Sequence, residues 1–555
     1  MSYFKTPGVY IKEQDAFGSS VVAVPTAVPA FIGYTAKADE DGNSLLMKPT
    51  KVRSLAEFRE TFGGGNRTTF KISETGDVPA LDVDIATRYY MYSSLRLFWA
   101  NGGGEAYIVS TGNYGDAIDS EKMLQALELL TKEQEPTIIV VPDAVLLDKD
   151  DCYSVYKAIL QHCGAKMKSR VGLVDVWGGH DPKTKDAMVK EFREGIGSNS
   201  LAYSAVYFPW LHTTITPASE VDYRNVSNRK DLVKILMDDI KAAMGIGGAA
   251  GNPDADAAAK LINSINKDNH DDVAKKLTAL NKGFKKSAEK DAAKQKADYK
   301  KQAAALFSSE PAADSPEARK IAQIEEAVNQ ITNDSADVKQ VGATISALSP
   351  IYKTILKNIR AELNVLPPSG AMAGVYALVD NQEGVHKAPA NVSLSAVVKP
   401  TINITADDQE DLNSPLSGKA INAIRSFVGK GVLVWGARSL DANSQDWRYI
   451  SVRRTMIMIE QSIKNSVEAY VFEPNTARTW LKLRTSIQNF LTEVWKNGSL
   501  AGATPSQAFE VHVGLGSTMT PNDILEGVMR ISVRVAITRP AEFIEITFEQ
   551  KMQES

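Results

Sequence analysis

Thr137-Ile138-Ile139-Val140-Val141, Val171-Gly172-Leu173-Val174-Asp175-Val176 and Tyr203-Ser204-Ala205-Val206-Tyr207-Phe208 are three nearly uninterrupted apolar runs, separated by stretches compatible with helices. A strand exposed on one face alternates apolar and polar side chains, whereas a continuous run implies a sheet covered on both faces. The spacing therefore predicts an α/β domain over 111–226, with helices at 153–162 and 184–192.

Toward the N-terminus, Ala30-Phe31-Ile32-Gly33-Tyr34 reads as a short buried strand, and 55–62 as a helix ended by Gly63-Gly64-Gly65. Over 85–100, Tyr89, Tyr92, Leu95 and Trp99 recur at helical spacing until Asn101-Gly102-Gly103-Gly104 stops the helix and a strand begins at Ala106. Toward the C-terminus, Gly431-Val432-Leu433-Val434-Trp435-Gly436 reads as a strand. A helix follows over 450–470, with Val452, Met456, Ile459, Ile463 and Val467 as one apolar face. A second helix, beyond Pro474, turns Leu483, Ile487, Phe490, Leu491 and Val494 inward.

Between 227 and 350 the composition shifts to Ala, Lys and Asp, with Phe284, Tyr299 and Phe307 as the only aromatics. That is a poor recipe for a large core, so helices around a solvated middle are expected. A chain of 555 residues has room for about three or four domains. The expected fold class is α/β and α+β, multidomain. A core is built from 27–110 and 365–540, the α/β domain is inserted at 111–226, and an outer Ala/Lys-rich helical insertion lies at 227–364. Extended β arms occupy 1–26 and 541–555.

The chain ends carry the most informative local patterns. Val9, Tyr10 and Ile11 are β-formers flanked by Pro7, Pro25 and Pro29, which suit an extended arm and disfavour a central strand. Met529, Ile531, Val533, Val535 and Ile537 alternate with Arg530, Ser532, Arg534, Ala536 and Thr538, the signature of a half-buried strand. Arg539-Pro540-Ala541-Glu542 breaks it, and Phe543-Ile544-Glu545-Ile546-Thr547-Phe548-Glu549 resumes the alternation. Terminal segments fray unless held. Each end either pairs within its own domain or adds to a sheet edge of another copy, with Val9, Tyr10, Ile11, Phe543, Ile544, Ile546 and Phe548 as the exchanged residues.

Bulk properties remove several function classes. A formal net charge of −4 gives no global electrostatic reason to expect nucleic acid or an anionic membrane. No run approaches eighteen apolar residues, and the first residues lack a basic region followed by an apolar one, so cytoplasmic synthesis without membrane insertion is expected. Cys152 and Cys163, eleven residues apart, fit neither a zinc knuckle nor a CxxC pair and read as reduced thiols. The six histidines form no HExxH or paired helical spacing; His180, in Trp177-Gly178-Gly179-His180-Asp181 after an expected strand, is the one placed where ligand sites often lie. Neither triple-glycine stretch completes a phosphate-loop motif, so both read as turns. No catalytic, cofactor-binding or metal-ligating residue is assigned.

In order along the chain, Pro7-Gly8-Val9-Tyr10-Ile11-Lys12-Glu13, Pro29-Ala30-Phe31-Ile32-Gly33, Asn101-Gly102-Gly103-Gly104-Glu105-Ala106-Tyr107-Ile108-Val109 and Thr520-Pro521-Asn522-Asp523-Ile524-Leu525-Glu526-Gly527 resemble contractile tail sheath proteins. Arg539-Pro540-Ala541-Glu542-Phe543-Ile544, the 431–439 strand region and Tyr449-Ile450-Ser451-Val452-Arg453-Arg454 extend that resemblance. It covers about 1–110 and 370–555, looks closest to extracellular contractile injection systems, and does not extend to 227–350. The resemblance implies a structural subunit, not an enzyme. Subunits would form stacked hexameric rings in a helical sheath around an inner tube protein, with baseplate and terminator or cap proteins as further partners. Assembly would begin in the bacterial cytoplasm, with later extracellular release of the particle left open.

Arg453, Arg454, Lys464, Arg478, Lys482 and Arg484 make the two late helices locally basic. Such charges are commonly a solvated surface. The functional alternative is a tube-facing seat formed by Arg453 and Arg454 together with Asp523 and Glu526 of a short helix. Two rivals to the sheath remain: another self-assembling component (baseplate, capsid or surface layer), and an enzyme with its site in the α/β domain.

Overall fold

The computed structural model describes residues 21–73, 79–243, 316–333 and 337–546. Val9, Tyr10, Ile11 and Phe548 lie outside the described residues. By internal contacts the chain divides into two units, one of 1–68, 85–217 and 361–555 and one of 69–84 and 218–360.

The strands, in chain order, are β1 (Pro29–Thr35), β2 (Asp39–Glu40), β3 (Asn43–Ser44), β4 (Thr50–Val52), β5 (Phe70–Ser73), β6 (Ala80–Val83), β7 (Ala106–Asn113), β8 (Ile138–Val140) and β9 (Val171–Asp175). They continue with β10 (Ser204–Phe208), β11 (Leu211–Thr213), β12 (Val365–Leu366), β13 (Val392–Ser393), β14 (Val397–Pro400), β15 (Asn422–Phe427), β16 (Gly431–Val434), β17 (Phe509–Val513) and β18 (Ile531–Val535).

The first unit is built on a nine-stranded sheet of order β13-β16-β15-β10-β9-β8-β1-β7-β4. From β15 through β7 neighbouring strands run parallel, while β4 on one side and β16 and β13 on the other pair antiparallel. Every residue of β1, β8, β9 and β10 is buried. Because successive side chains point to opposite faces, both faces are covered, as the apolar runs predict.

The expected boundary at 110/111 does not divide two domains. β1 hydrogen-bonds β7 on one side and β8 on the other, and β10 hydrogen-bonds β15, so 27–110, 111–226 and part of 365–540 share one sheet. Apolar runs specify that strands are buried, but strand neighbours are set by crossovers that leave no mark in a run.

Helices Met91–Ala100 and Ser369–Gln382 pack on each other and on the sheet. Their approach is close enough that a Cβ on Gly374 would lie 2.4 Å from the carbonyl oxygen of Phe98, so only glycine fits. Two buried carboxylates join these elements. Asp143, just beyond β8, accepts the backbone N–H groups of Tyr34 at 2.9 Å, Tyr90 at 2.5 Å and Met91 at 3.1 Å. Asp175, ending β9, accepts from the Ser369 N–H at 2.9 Å and its hydroxyl at 2.6 Å, where the Ser369–Gln382 helix begins.

In the second unit, the β5–β6 hairpin is tied to 226–228: Asn228 accepts the Ile72 N–H at 2.9 Å and donates to the Ile72 carbonyl at 2.7 Å. Helices Arg229–Ala243, Pro316–Asn329, Val338–Leu348 and Pro350–Leu363 follow, with Leu232, Leu236, Val328, Ile331, Ile345, Tyr352 and Ile355 buried. Helices over 229–243 and 316–363 accord with the helices expected in this stretch, whereas the membership of 69–84 has no sign in composition.

Candidate assembly site at the chain ends

The C-terminal part of the first unit packs around its own small core. Helices Ile450–Glu468 and Ala477–Lys496 bury Met458, Ile459, Ile487, Phe490, Leu491 and Val494 with Phe509 and Val511 of β17. β18 pairs antiparallel with β17 in the register Phe509↔Val535, Val511↔Val533, Val513↔Ile531, so its apolar residues line the face turned to that core. Among the described residues this sheet has only two strands, an arrangement with little independent stability and two unpaired edges. The alternation at 529–538 is thus a strand, though a shorter one. The resumed alternation forms no strand over its described residues: Phe543, Ile544 and Ile546 are 77%, 79% and 68% exposed.

Both segments that lead to the chain ends are held at their roots. On the N-terminal side, Val21 is buried in the C-terminal core and the Val24 N–H donates to Ser462 Oγ at 3.0 Å. Arg454 donates from Nη1 and Nη2 to the two carboxylate oxygens of Asp380, at 2.9 and 2.5 Å. Its Nη2 also donates to the Thr26 carbonyl at 2.9 Å, and the Thr26 hydroxyl donates to Asp380 at 2.5 Å. The Arg454 guanidinium stacks over the Tyr376 ring, 4.5 Å from its centre. On the C-terminal side, Arg438 Nη2 donates to Glu542 Oε2 at 2.7 Å and its Nε to Oε1 at 3.0 Å. Tyr449 Oη and Asn413 Nδ2 each donate to the same carboxylate at 3.1 Å.

Arg453 and Arg454 do not form the tube-facing surface expected of them. Arg453 is 6% exposed, sandwiched between the rings of Trp447, 3.4 Å away, and Tyr203, 4.3 Å away. Arg454 is engaged by Asp380 and Thr26. The Ile450–Glu468 helix is covered on more than its apolar stripe, because Ile450 and Ile457 face the main core while Met458 and Ile459 face the C-terminal one. Asp523 lies in the short Pro521–Leu525 segment and Glu526 caps its end; the Asp523 carboxylate accepts from Thr520 N–H and hydroxyl, both at 2.8 Å, and from Arg530. These bonds hold its pKa at about 2. Glu526 and Leu525 are exposed.

His180 is exposed and stacks on Trp210 with ring centres 4.8 Å apart. Among the described residues no group of three His, Cys, Asp or Glu could hold a metal ion, and no helix is long and apolar enough to cross a membrane. Gly102, at φ 95°, closes the helix before it, in keeping with turn chemistry. Cys152 and Cys163 are buried free thiols.

Residues 442–551, which take in both late helices, the β17–β18 hairpin and Glu542, match the phage tail sheath C-terminal domain family. The chain carries a phage tail sheath C-terminal domain. In a separate comparison, 220 residues, 39% of the chain, are 21% identical to a tail sheath protein of Vibrio phage KVP40 and span 31% of that relative's length. Solved structures similar in fold align with nearly all of the chain. A chain of the anti-feeding prophage helical sheath in contracted state is 24% identical with a TM-score of 0.55, over 99% of this chain and 100% of that one. A chain of the PVC sheath complex of an extracellular contractile injection system, also contracted, is 22% identical with a TM-score of 0.52, over 99% of both. A chain of the contracted anti-feeding prophage baseplate is 22% identical with a TM-score of 0.58, over 98% of both. The tail sheath resemblance read from the sequence is borne out.

Proposed function

We propose that this chain is a structural subunit of a contractile sheath, polymerising as stacked hexameric rings around an inner tube and contracting to drive that tube through a target envelope. The observation that carries this reading is the fold likeness to subunits of contracted sheaths over 99% of this chain. The arms at 1–26 and 541–555 link copies by strand exchange through Val9, Tyr10, Ile11, Phe543, Ile544, Ile546 and Phe548. The exposure of Phe543, Ile544 and Ile546 beside an unpaired two-stranded sheet supports this, since edge addition would satisfy backbone groups at about 1 kcal/mol per bond. The body built on the nine-stranded sheet moves as a near-rigid piece. Baseplate and cap proteins bound the polymer, which assembles in the cytoplasm before the particle is released.

Contact with the tube falls to the Pro521–Leu525 segment through Asp523 and Glu526; Arg453 and Arg454 are not part of it. Negative-stain microscopy of the purified chain with its tube protein tests the whole reading: hollow sixfold tubes are expected, and particles that remain single subunits would overturn it. A second reading, a sheath ring confined to the baseplate, draws on the baseplate likeness. Discs or single rings in place of tubes would favour it.

A further inference from the structure

The two terminal segments are held by buried arginines that converge on one helix. Arg454, Met458 and Ser462 recur at a spacing of four along the Ile450–Glu468 helix, which puts them on one face. That face receives the N-terminal segment: Arg454 binds Thr26, Ser462 binds Val24, and Met458 shares a core with Val21. Tyr449, at the N-cap of the same helix, binds Glu542.

Neither segment is helix or strand over 21–28 or 539–546, and apart from Val28, whose carbonyl accepts the Thr137 N–H at 2.8 Å, side chains do much of the holding. The C-terminal boundary is sharp. The Glu542 side chain is 18% exposed and carries four donor groups, and the next residue is an exposed phenylalanine.

The chemistry of the clamps is directional. An apolar contact would bury the same surface equally well and let the segment slide. A guanidinium bonded to both oxygens of one carboxylate fixes position and angle, and a buried pair of this kind is poorly explained by stability alone. Arg454 and Asp380 are 3% and 4% exposed at their side chains, so water does not compete for the bonds.

We propose that the Ile450–Glu468 helix is a mechanical bridge between the two chain ends, fastened to the N-terminal segment by Arg454 with Asp380 and to the C-terminal segment by Glu542, which is held by Tyr449 at the helix N-cap and by Arg438, whose backbone pairs with Tyr449. The bridge rests on reading the ends as inter-subunit arms. Pull on one arm then reaches the other through this helix as well as through the sheet, to which Arg438 is tied by Asn422 of β15 and Val28 by Thr137. Arg438 and Arg454 act as positioning residues that set where and in what direction each arm leaves the body.

The test separates this idea from the sheath reading by starting on the free subunit. Spin labels are placed at Ile544→Cys and Lys430→Cys; Cys152 and Cys163 are fully buried and stay unlabelled. Pulsed electron resonance should give a narrow distance distribution for the parent, broadened at least twofold by the paired change Arg438→Met with Glu542→Gln, which leaves no lone buried charge. For the other clamp, the paired change Arg454→Met with Asp380→Leu leaves no lone charge. It should speed hydrogen exchange at the Val24 amide at least tenfold while the β1 and β9 amides keep their rates. Parent-like distributions and exchange rates in these variants would overturn the bridge. In assembled sheaths, Glu542→Gln should yield fragments after contraction where the parent stays continuous, and continuous variant sheaths would equally overturn it. Absence of tubes from the parent chain would count against the sheath reading, leaving the measurements on the free subunit to decide on the clamps.

Discussion

At the scale of single residues, the chain depends on charges that never meet solvent. Removing one partner of a buried pair leaves the other uncompensated, so Asp380→Ala should destabilise the subunit by about 3–5 kcal/mol, read by denaturant unfolding. The paired Arg454→Met, Asp380→Leu change should recover most of that loss, and an equal loss in single and double variants would contradict the pairing. Asp175 behaves differently. Burial outweighs its two bonds from Ser369 and lifts its pKa from 3.8 to about 7. The folded state therefore holds a proton that the unfolded chain has released. This contribution to stability is complete below about pH 4 and is lost as pH rises through 7. Asp143, lifted to about 6 by burial, adds to the same trend. Asp175→Asn should flatten the fall in stability between pH 4 and 7; an unchanged slope would show that the carboxyl titrates normally.

Among the elements, the late helices and the β17–β18 hairpin form a core of their own, and Leu491 is fully buried within it. Leu491→Ala should cost about 2–5 kcal/mol by the cavity it leaves, measured by thermal or denaturant unfolding. The terminal arms should behave oppositely. Deleting 1–20 or 541–555 should leave a soluble folded subunit but no long tubes; normal tubes from both deletions would remove strand exchange. Where the arms join the body was not legible: Glu542 reads as part of a strand-breaking Arg-Pro-Ala-Glu turn, and nothing nearby in sequence names Arg438 as its partner. The alternation at 529–538 was legible because a half-buried strand imposes its period locally. Arg453 and Arg454 were misread for the complementary reason, since helical periodicity identifies one apolar face and is silent when a second body covers the other.

For the whole molecule, the large mixed sheet is expected to move as one piece while the contacts of the ends change. Hydrogen exchange at β1, β8 and β9 should be the same in the free subunit and in assembled tubes, with new protection confined to the terminal segments and their receiving edges. Changed exchange across the central strands would point to rearrangement of the body instead. Glu526→Lys should weaken binding of the tube protein without preventing sheath polymerisation, measured by co-sedimentation; undiminished tube binding would remove the Pro521–Leu525 segment from that contact.

The sequence by itself determined which segments are buried strands, which are amphipathic helices, and that both ends carry β-forming residues beside prolines, because each of these is written in the period of neighbouring side chains. It also carried the ordered motifs that resemble tail sheaths. Only the tertiary structure decided that β1 lies between β7 and β8, that 69–84 joins 218–360, and that two arginines of a basic-looking helix are interior. These depend on which surfaces meet across hundreds of residues, and burial of a charge is decided by the partner that arrives, not by the residue that waits for it.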